Sequence, residues 1–163
     1  MKVRVLPRQQ MIYREKPNDF NQKFEIVSCF FERDGKFLLL LRNDSKPQGN
    51  TWGVPAGKVE QGESLDQAIC RELEEETGYK ILSGLPKSTH TLFVRYPEYD
   101  FFYHMYQFSL DQDYSVQIDQ RAHKEFRWVS PEEALKMNLI MDLDSCVELF
   151  YNIQDTSVRG VSV

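Results

Sequence analysis

The stretch Gly57-Lys-Val-Glu-Gln-Gly62-Glu63-Ser-Leu65-Asp-Gln-Ala-Ile-Cys-Arg71-Glu72-Leu-Glu-Glu75-Glu76-Thr77-Gly78-Tyr79 decides how this chain is read. Leu65 to Thr77 is rich in helix formers and free of Gly and Pro, and Gly78 stands where a left-handed cap ends a helix. With Leu65 at zero and about 100° per residue, Ile69 falls at about 40°, Leu73 at about 80° and Ala68 at about 300°, an arc that faces a core. Glu76 lands at about 20°, Glu72 at about 340° and Glu75 at about 280°, within or beside that arc. Gln67, Arg71 and Glu74 take the other side.

Carboxylates spaced i, i+3 and i+4 on a half-buried face repel one another and lose hydration. Something positive should compensate. Arg71 is the only base in the helix and is expected to point away from the acids, which leaves a bound cation as the compensator. Oxygen donors without a nearby His or Cys suit Mg²⁺, with Mn²⁺ as an alternative, rather than zinc. On the wheel alone, an ordinary acidic surface helix stays open.

Upstream, Glu25-Ile-Val-Ser-Cys-Phe-Phe31 and Lys36-Phe-Leu-Leu-Leu-Leu-Arg42 flank Asp34-Gly35, and two apolar runs around an Asp-Gly turn make a hairpin. The polar stretch from Asn43 to Asn50 reads as a loop leading into Thr51-Trp-Gly-Val-Pro-Ala-Gly57. Downstream, Thr89 to Tyr96, Phe101 to Leu110 and Glu125 to Val129 have strand composition, with a turn around Pro97 and Asp100. Ser130-Pro131-Glu132-Glu133 has the form of a helix start, and Leu143 to about Ile153 places Cys146, Leu149, Phe150 and Ile153 on one helical face. Hairpins with helices inserted between groups of strands predict an α/β fold with a mixed sheet flanked by helices, not a doubly wound parallel one.

Gly57, then five residues, Glu63, then seven, Arg71-Glu72-Leu73, one residue, Glu75-Glu76, one residue and Gly78 resembles the complete Nudix box. The likeness extends through the hairpin, Trp52 to Gly57 and Arg127 to Ala134, over about residues 24–152. Tyr79 departs mildly, because the family more often carries an aliphatic residue there; this bears on packing more than on chemistry. The resemblance implies a Nudix-type α/β/α sandwich and a hydrolase of diphosphate linkages. It implies that Glu72 and Glu76 bind the metal, aided by the Ala56 carbonyl, and that Glu75 binds a second metal or orients water. Glu63 and Arg71 would support them, the Arg as a bidentate donor. A carboxylate would act as general base, with Glu125, which could also be an exposed strand acid, as the leading candidate outside the box and Glu98 behind it.

Arg42 and Lys58 sit where the family often places phosphate contacts, although Lys58 could equally be a solvated loop residue. Trp52 and the aromatics Tyr96, Tyr99, Phe101, Phe102 and Tyr103 could stack on a base or belong to the core. His90, His104 and His123 lack ligand-like spacing and are expected to stay outside the chemistry. The implied substrate is a small nucleotide derivative, a nucleoside triphosphate first, with dinucleoside polyphosphates and nucleotide sugars as alternatives. A binding module that senses a nucleotide without cleaving it, and a diphosphate isomerase on a related fold, are the rivals.

A net charge of −5 gives no basic field for a nucleic-acid polymer. No apolar run is long enough to span a bilayer, and the start lacks the core of a secretory signal. The expectation is a cytoplasmic protein, monomeric or homodimeric, not bound to membrane. Cys29, Cys70 and Cys146 are too far apart for a metal ribbon and read as buried thiols. At 163 residues one domain is expected over 1–163, with a short N-terminal extension and a loose tail after Asp155.

Overall fold

The run Phe37-Leu-Leu-Leu-Leu41 has no polar alternation because both faces of its strand are covered. Leu38 and Leu40 enter one core cluster, and Phe37 and Leu39 enter another on the opposite face of the sheet. The computed structural model describes residues 11–153; the tail expected after Asp155 lies outside them.

The elements run β1 (Ile12–Tyr13), β2 (Gln22–Arg33), β3 (Lys36–Arg42), β4 (Trp52–Gly53), β5 (Ala56–Lys58), α1 (Leu65–Thr77), β6 (Lys87–Arg95), β7 (Asp100–Ser109), β8 (His123–Val129), α2 (Pro131–Ala134) and α3 (Leu143–Tyr151). The sheet order is β1-β6-β7-β2-β3-β4, with β5 pairing β2 and β8 pairing β3. Pairing is antiparallel except for β2 with β7, so the sheet is mixed, as the order of segments implied. On one side α1 packs Ala68, Ile69 and Leu73 against Val27, Cys29, Phe31 and Tyr106; on the other, Cys146 and Val147 of α3 pack with Phe30, Leu39 and Met105.

Asp34 (φ 52°) and Gly35 (φ 75°) both take the left-handed conformation that a two-residue hairpin turn requires. The hairpin is short in pairing. β2 and β3 are in register only at Glu32↔Phe37 and Arg33↔Lys36. Beyond that point the strands separate: β5 takes the edge of β2 at Ile26, Val27 and Ser28, while β4 and β8 flank β3. The opening between the diverging strands is where the site forms.

Two elements were not legible. Trp52–Gly53 and Ala56–Lys58 are strands of two and three residues inside what reads as a loop. The N-terminal segment also contributes more than an extension, since Ile12 and Tyr13 pair with Val94 and Phe93 and extend the sheet. Tyr79, the one departure from the box, packs among Phe31, Phe108 and Tyr114. Cys29 and Cys146 are buried, and Cys70 is half-buried; all three are free thiols. Among the described residues no helix is long and apolar enough to cross a membrane.

Candidate active site

Helix α1 spans the expected residues. Ser64 caps it, its Oγ accepting from Gln67 N–H while the Gln67 side chain accepts from Ser64 N–H, and Gly78 (φ 78°) ends it by donating to Glu74 O at 2.9 Å. The helix brings Glu72 inward, 7% exposed, with Glu76 partly buried beside it and Glu74 in solvent. Glu75 lies at the edge, its side chain 56% exposed.

Arg71 does not point away from these acids, contrary to the wheel. Its long stem carries the guanidinium back over the loop that enters the helix, and all of its N–H groups are engaged. Nε donates to Glu63 Oε2 at 2.7 Å; Nη2 donates to Glu63 Oε1 at 2.9 Å and to Lys58 O at 3.0 Å. Nη1 donates to Glu72 Oε1 at 2.8 Å and Glu75 Oε2 at 3.2 Å. The fork fixes Glu63 bidentately and turns Glu72 into place. The Arg71 bonds, helped by Glu60 N–H, hold the Glu63 carboxyl down at about 2.

Glu72 and Glu76 both shift the other way from Glu63. Burial raises Glu72 despite Arg71, and burial with repulsion from Glu72 raises Glu76 well above the usual carboxylate range. Glu76 Oε2 accepts the Ala56 N–H at 3.0 Å, and the Arg42 guanidinium also favours its charge. The Glu72 carboxylate lies directly over Gly57, where a Cβ would collide with it. Two partly or wholly desolvated carboxylates, one over the side-chain-free Gly57 and one on the Ala56 N–H, offer oxygen donors only and fit a hard divalent cation. Among the described residues no three acidic side chains are drawn together as a ready-made cage. Arg71 and Ala56 N–H hold the three glutamates instead.

Glu76, Ala56, Gly57 and Lys58 open onto a cavity of about 400 Å³ in the gap between β2 and β3. Arg42 lines it with Nε donating to Pro47 O at 2.8 Å, and Lys58 Nζ lies 4.3 Å from the centre of the Phe24 ring. Tyr96, Tyr99, Phe101 and Tyr103 form an aromatic wall, with Tyr96 5.3 Å from Phe101 between ring centres.

Several expected residues fall elsewhere. Phe102 alternates to the other face of β7 and stacks on Phe20. Trp52 is 9% exposed and belongs to the core on the α3 side, with Arg127 5.0 Å above its ring; the stacking role is corrected to a packing role. Glu125 pairs across to Leu41, is half-exposed and forms an ion pair with Arg127 at 3.2 Å; neither it nor Glu98 lines the cavity. Glu125 is thus held by Arg127 and stands outside the cavity that Glu76 lines.

Two cavity residues were missed. His123 is 5% exposed and lines the cavity, although its spacing to other ligands suggested nothing. Asp142, 9% exposed and left-handed at φ 70°, precedes α3 without capping it by its side chain, lines the cavity and accepts a hydrogen bond from Tyr96. A non-glycine residue in that conformation just before a helix is the signal that could have flagged it, but φ is not written in sequence.

The NUDIX domain family model matches residues 23–150. The chain is 35% identical to the CTP pyrophosphohydrolase of Escherichia coli (strain K12) over 115 residues, 71% of this chain and 82% of that protein. Among solved structures it is similar to the MutT protein of Methanosarcina mazei Go1, with a TM-score of 0.68 and 28% identity over 79% of this chain and 93% of that one. The ORF135 protein of E. coli aligns with a TM-score of 0.66 and 28% identity over 91% of this chain and all of that one, 100%. With the complete box running from β5 through α1, its Arg71-centred ion network and these matches, the chain belongs to the Nudix hydrolase family.

Proposed function

We propose that this protein is an Mg²⁺-dependent hydrolase of nucleoside triphosphates that cleaves the diphosphate linkage to give a nucleoside monophosphate and pyrophosphate. The observation that carries the reading is one cavity with three different walls: the Glu76 carboxylate with Gly57 behind it, the cations Arg42 and Lys58, and the aromatic group Tyr96, Tyr99, Phe101 and Tyr103. A charged phosphate chain and a flat base need those surfaces in that arrangement.

Glu72 and Glu76 would hold the cation, with the Ala56 carbonyl as a further oxygen donor. Bound there, a divalent cation neutralises diphosphate oxygens and lowers the pKa of the attacking water. Arg71 and Glu63 keep the Glu72 carboxylate oriented, and Arg42 and Lys58 meet the phosphates. Glu75, exposed enough to swing, receives the proton from water. The aromatic wall receives the base. Asp142, an acceptor beside that wall, favours bases that carry an exocyclic amino group and disfavours uracil, whose carbonyl would face the carboxylate. The CTP activity named for the E. coli relative is consistent with this preference.

The test is incubation with Mg²⁺ and a panel of CTP, ATP, GTP, UTP, dinucleoside polyphosphates and nucleotide sugars, with products separated chromatographically. Release of monophosphate and pyrophosphate from the amino-bearing triphosphates is expected. Cleavage only of the other derivatives moves the substrate; binding without cleavage of any member replaces the hydrolase with a sensing module. UTP turned over as well as CTP removes the role given to Asp142.

A further inference from the structure

We propose that His123 is a phosphate-binding residue: its ring Nδ1–H donates to a phosphate oxygen of the nucleotide held by Arg42, so that the two side chains form one anion-receiving corner of the cavity. The inference rests on the proposed function for the identity of the ligand, and on geometry for the residue.

His123 begins β8, and Arg42 ends β3; the two are register partners across an irregularity between Leu41 and Arg42. That shift matters, because it turns both side chains into the cavity instead of continuing the alternation of the strands. The backbone around them is tightly held: His123 N–H donates to Asp119 O at 2.9 Å, Asn43 N–H to Ala122 O at 3.0 Å, and Asn50 N–H to Arg42 O at 3.0 Å. The corner is therefore preorganised by elements distant in sequence.

Within it, His123 is 95% removed from solvent by its 5% exposure, yet its Nδ1 has no hydrogen-bond partner among the described residues. A buried ring nitrogen without a partner is uncommon and calls for an explanation, of which a ligand is one. The neighbouring charges identify the ligand class. Arg42 and Lys46 disfavour a second positive charge at the ring, Asp119 favours it, and burial with the two bases prevails. A neutral imidazole next to a guanidinium presents an N–H donor beside a cation, a pair suited to oxygens of an anion. Arg42 uses Nε on Pro47 O, which leaves its Nη groups for the same ligand. The corner also lies on the Glu76 side of the cavity, since the Arg42 charge acts on Glu76. Phosphate, not the base, is the part of a nucleotide that reaches there.

The test compares His123→Leu with His123→Asn, because the Asn amide nitrogen can occupy the place of Nδ1 whereas Leu offers no donor. With a triphosphate substrate, His123→Leu is expected to raise KM about 10- to 100-fold with kcat within about threefold, the size of a lost hydrogen bond to a charged group. His123→Asn should recover most of that loss. In the wild-type protein, titration with a nucleoside triphosphate carrying an α,β-methylene bridge, in the presence of Ca²⁺, should move the ¹⁵N signal of His123 Nδ1 and slow exchange of its proton. This measurement needs no variant to fold and no turnover. An unchanged KM in a folded His123→Leu, or an Nδ1 signal that stays still while the analogue saturates, overturns the assignment. Binding of the analogue with a shifted Nδ1 signal but no hydrolysis of any substrate overturns the hydrolase reading and retains the His123 contact; no binding of the analogue overturns both.

Discussion

The cavity has two walls built in contrasting ways. One is local: Gly57 and Glu76 line it, and behind them, within the same short segment, one Arg71 guanidinium spends every donor on Glu63, Glu72, Glu75 and Lys58 O. The other is assembled from afar: Arg42 from β3, the aromatics from β7 and the turn before it, His123 from β8 and Asp142 from the residue before α3. The local wall is charge-dense and carries its own hydrogen-bonded order. The distant wall is mainly apolar, and its polar groups are held by backbone bonds across long sequence separations. The first has the parts for chemistry, and the second has the parts for choosing what the chemistry acts on.

The sharpest way to break this division is at Glu76, which lies where the two walls meet. Glu76→Gln keeps an acceptor for the Ala56 N–H and removes the charge. Turnover should fall by about a thousandfold or more, because several kcal/mol of charge stabilisation at the phosphate depend on the cation it would hold. Without metal, the variant should melt at a higher temperature than the parent, since Gln removes a carboxylate whose ionised form is disfavoured by burial and by Glu72. Mg²⁺ should stabilise the parent and leave the variant unmoved. Near-normal turnover in a folded Glu76→Gln would show that the chemistry is not centred on this helix.

Arg71 tests whether the local wall depends on geometry or on charge alone. Arg71→Lys keeps the charge and loses the fork, so it cannot satisfy Glu63 bidentately while also reaching Glu72 and Glu75. A 10- to 100-fold loss of Mg²⁺ affinity or of turnover is expected, the usual cost of disturbing the groups that orient metal-binding carboxylates. A titration of activity against Mg²⁺ separates the two. Lys serving as well as Arg would mean that Glu72 needs a counter-charge and no particular orientation.

The same contrast explains what could be read from the sequence. The acids of α1 were legible because helical periodicity converts spacing into direction, and Leu38 to Leu41 were legible as a strand because a fully apolar run needs two covered faces. Arg71 was misplaced since the wheel gives the direction of Cβ, while a four-bond stem decides where the guanidinium ends. Trp52 looked like a stacking residue next to a glycine loop, but pairing of Leu41 with Trp52 turns it into the α3-side core. His123 was dismissed for lack of nearby ligands. Its partner in the site, Arg42, is eighty-one positions earlier by numbering, about the distance at which only the fold can bring residues together.

The distant wall should also leave a mark on stability. Burial and the Arg42 charge push His123 down to about 4. For a base whose folded-state value is depressed below an unfolded value of about 6.5, protonation favours the unfolded chain. Stability is then fully present above about pH 6.5 and is lost as pH falls towards 4, on the order of 3 kcal/mol at most. Urea melts at a series of pH values should show this slope, and His123→Asn should flatten it. An identical slope in the variant would place the acid sensitivity in other groups.

The smallest effect is expected at Glu125, and its smallness is informative. Glu125 lies on β8 two residues after His123, so strand alternation alone would put it on the same face as His123. The irregularity between Leu41 and Arg42 intervenes, and Glu125 instead stands in solvent, paired with Arg127 at 3.2 Å. Exposed pairs of this kind contribute about 0–1 kcal/mol, so Glu125→Gln should change the melting temperature little. It should leave kcat and KM within about threefold, whereas loss of a general base typically costs a factor of about 100 or more. Measured beside Glu75→Gln, the pair of variants locates the base. A large loss at Glu125 with Glu75→Gln nearly silent would mean that β8 moves its acid into the cavity during the reaction, and the distant wall would then share in the chemistry as well as in the choice of substrate.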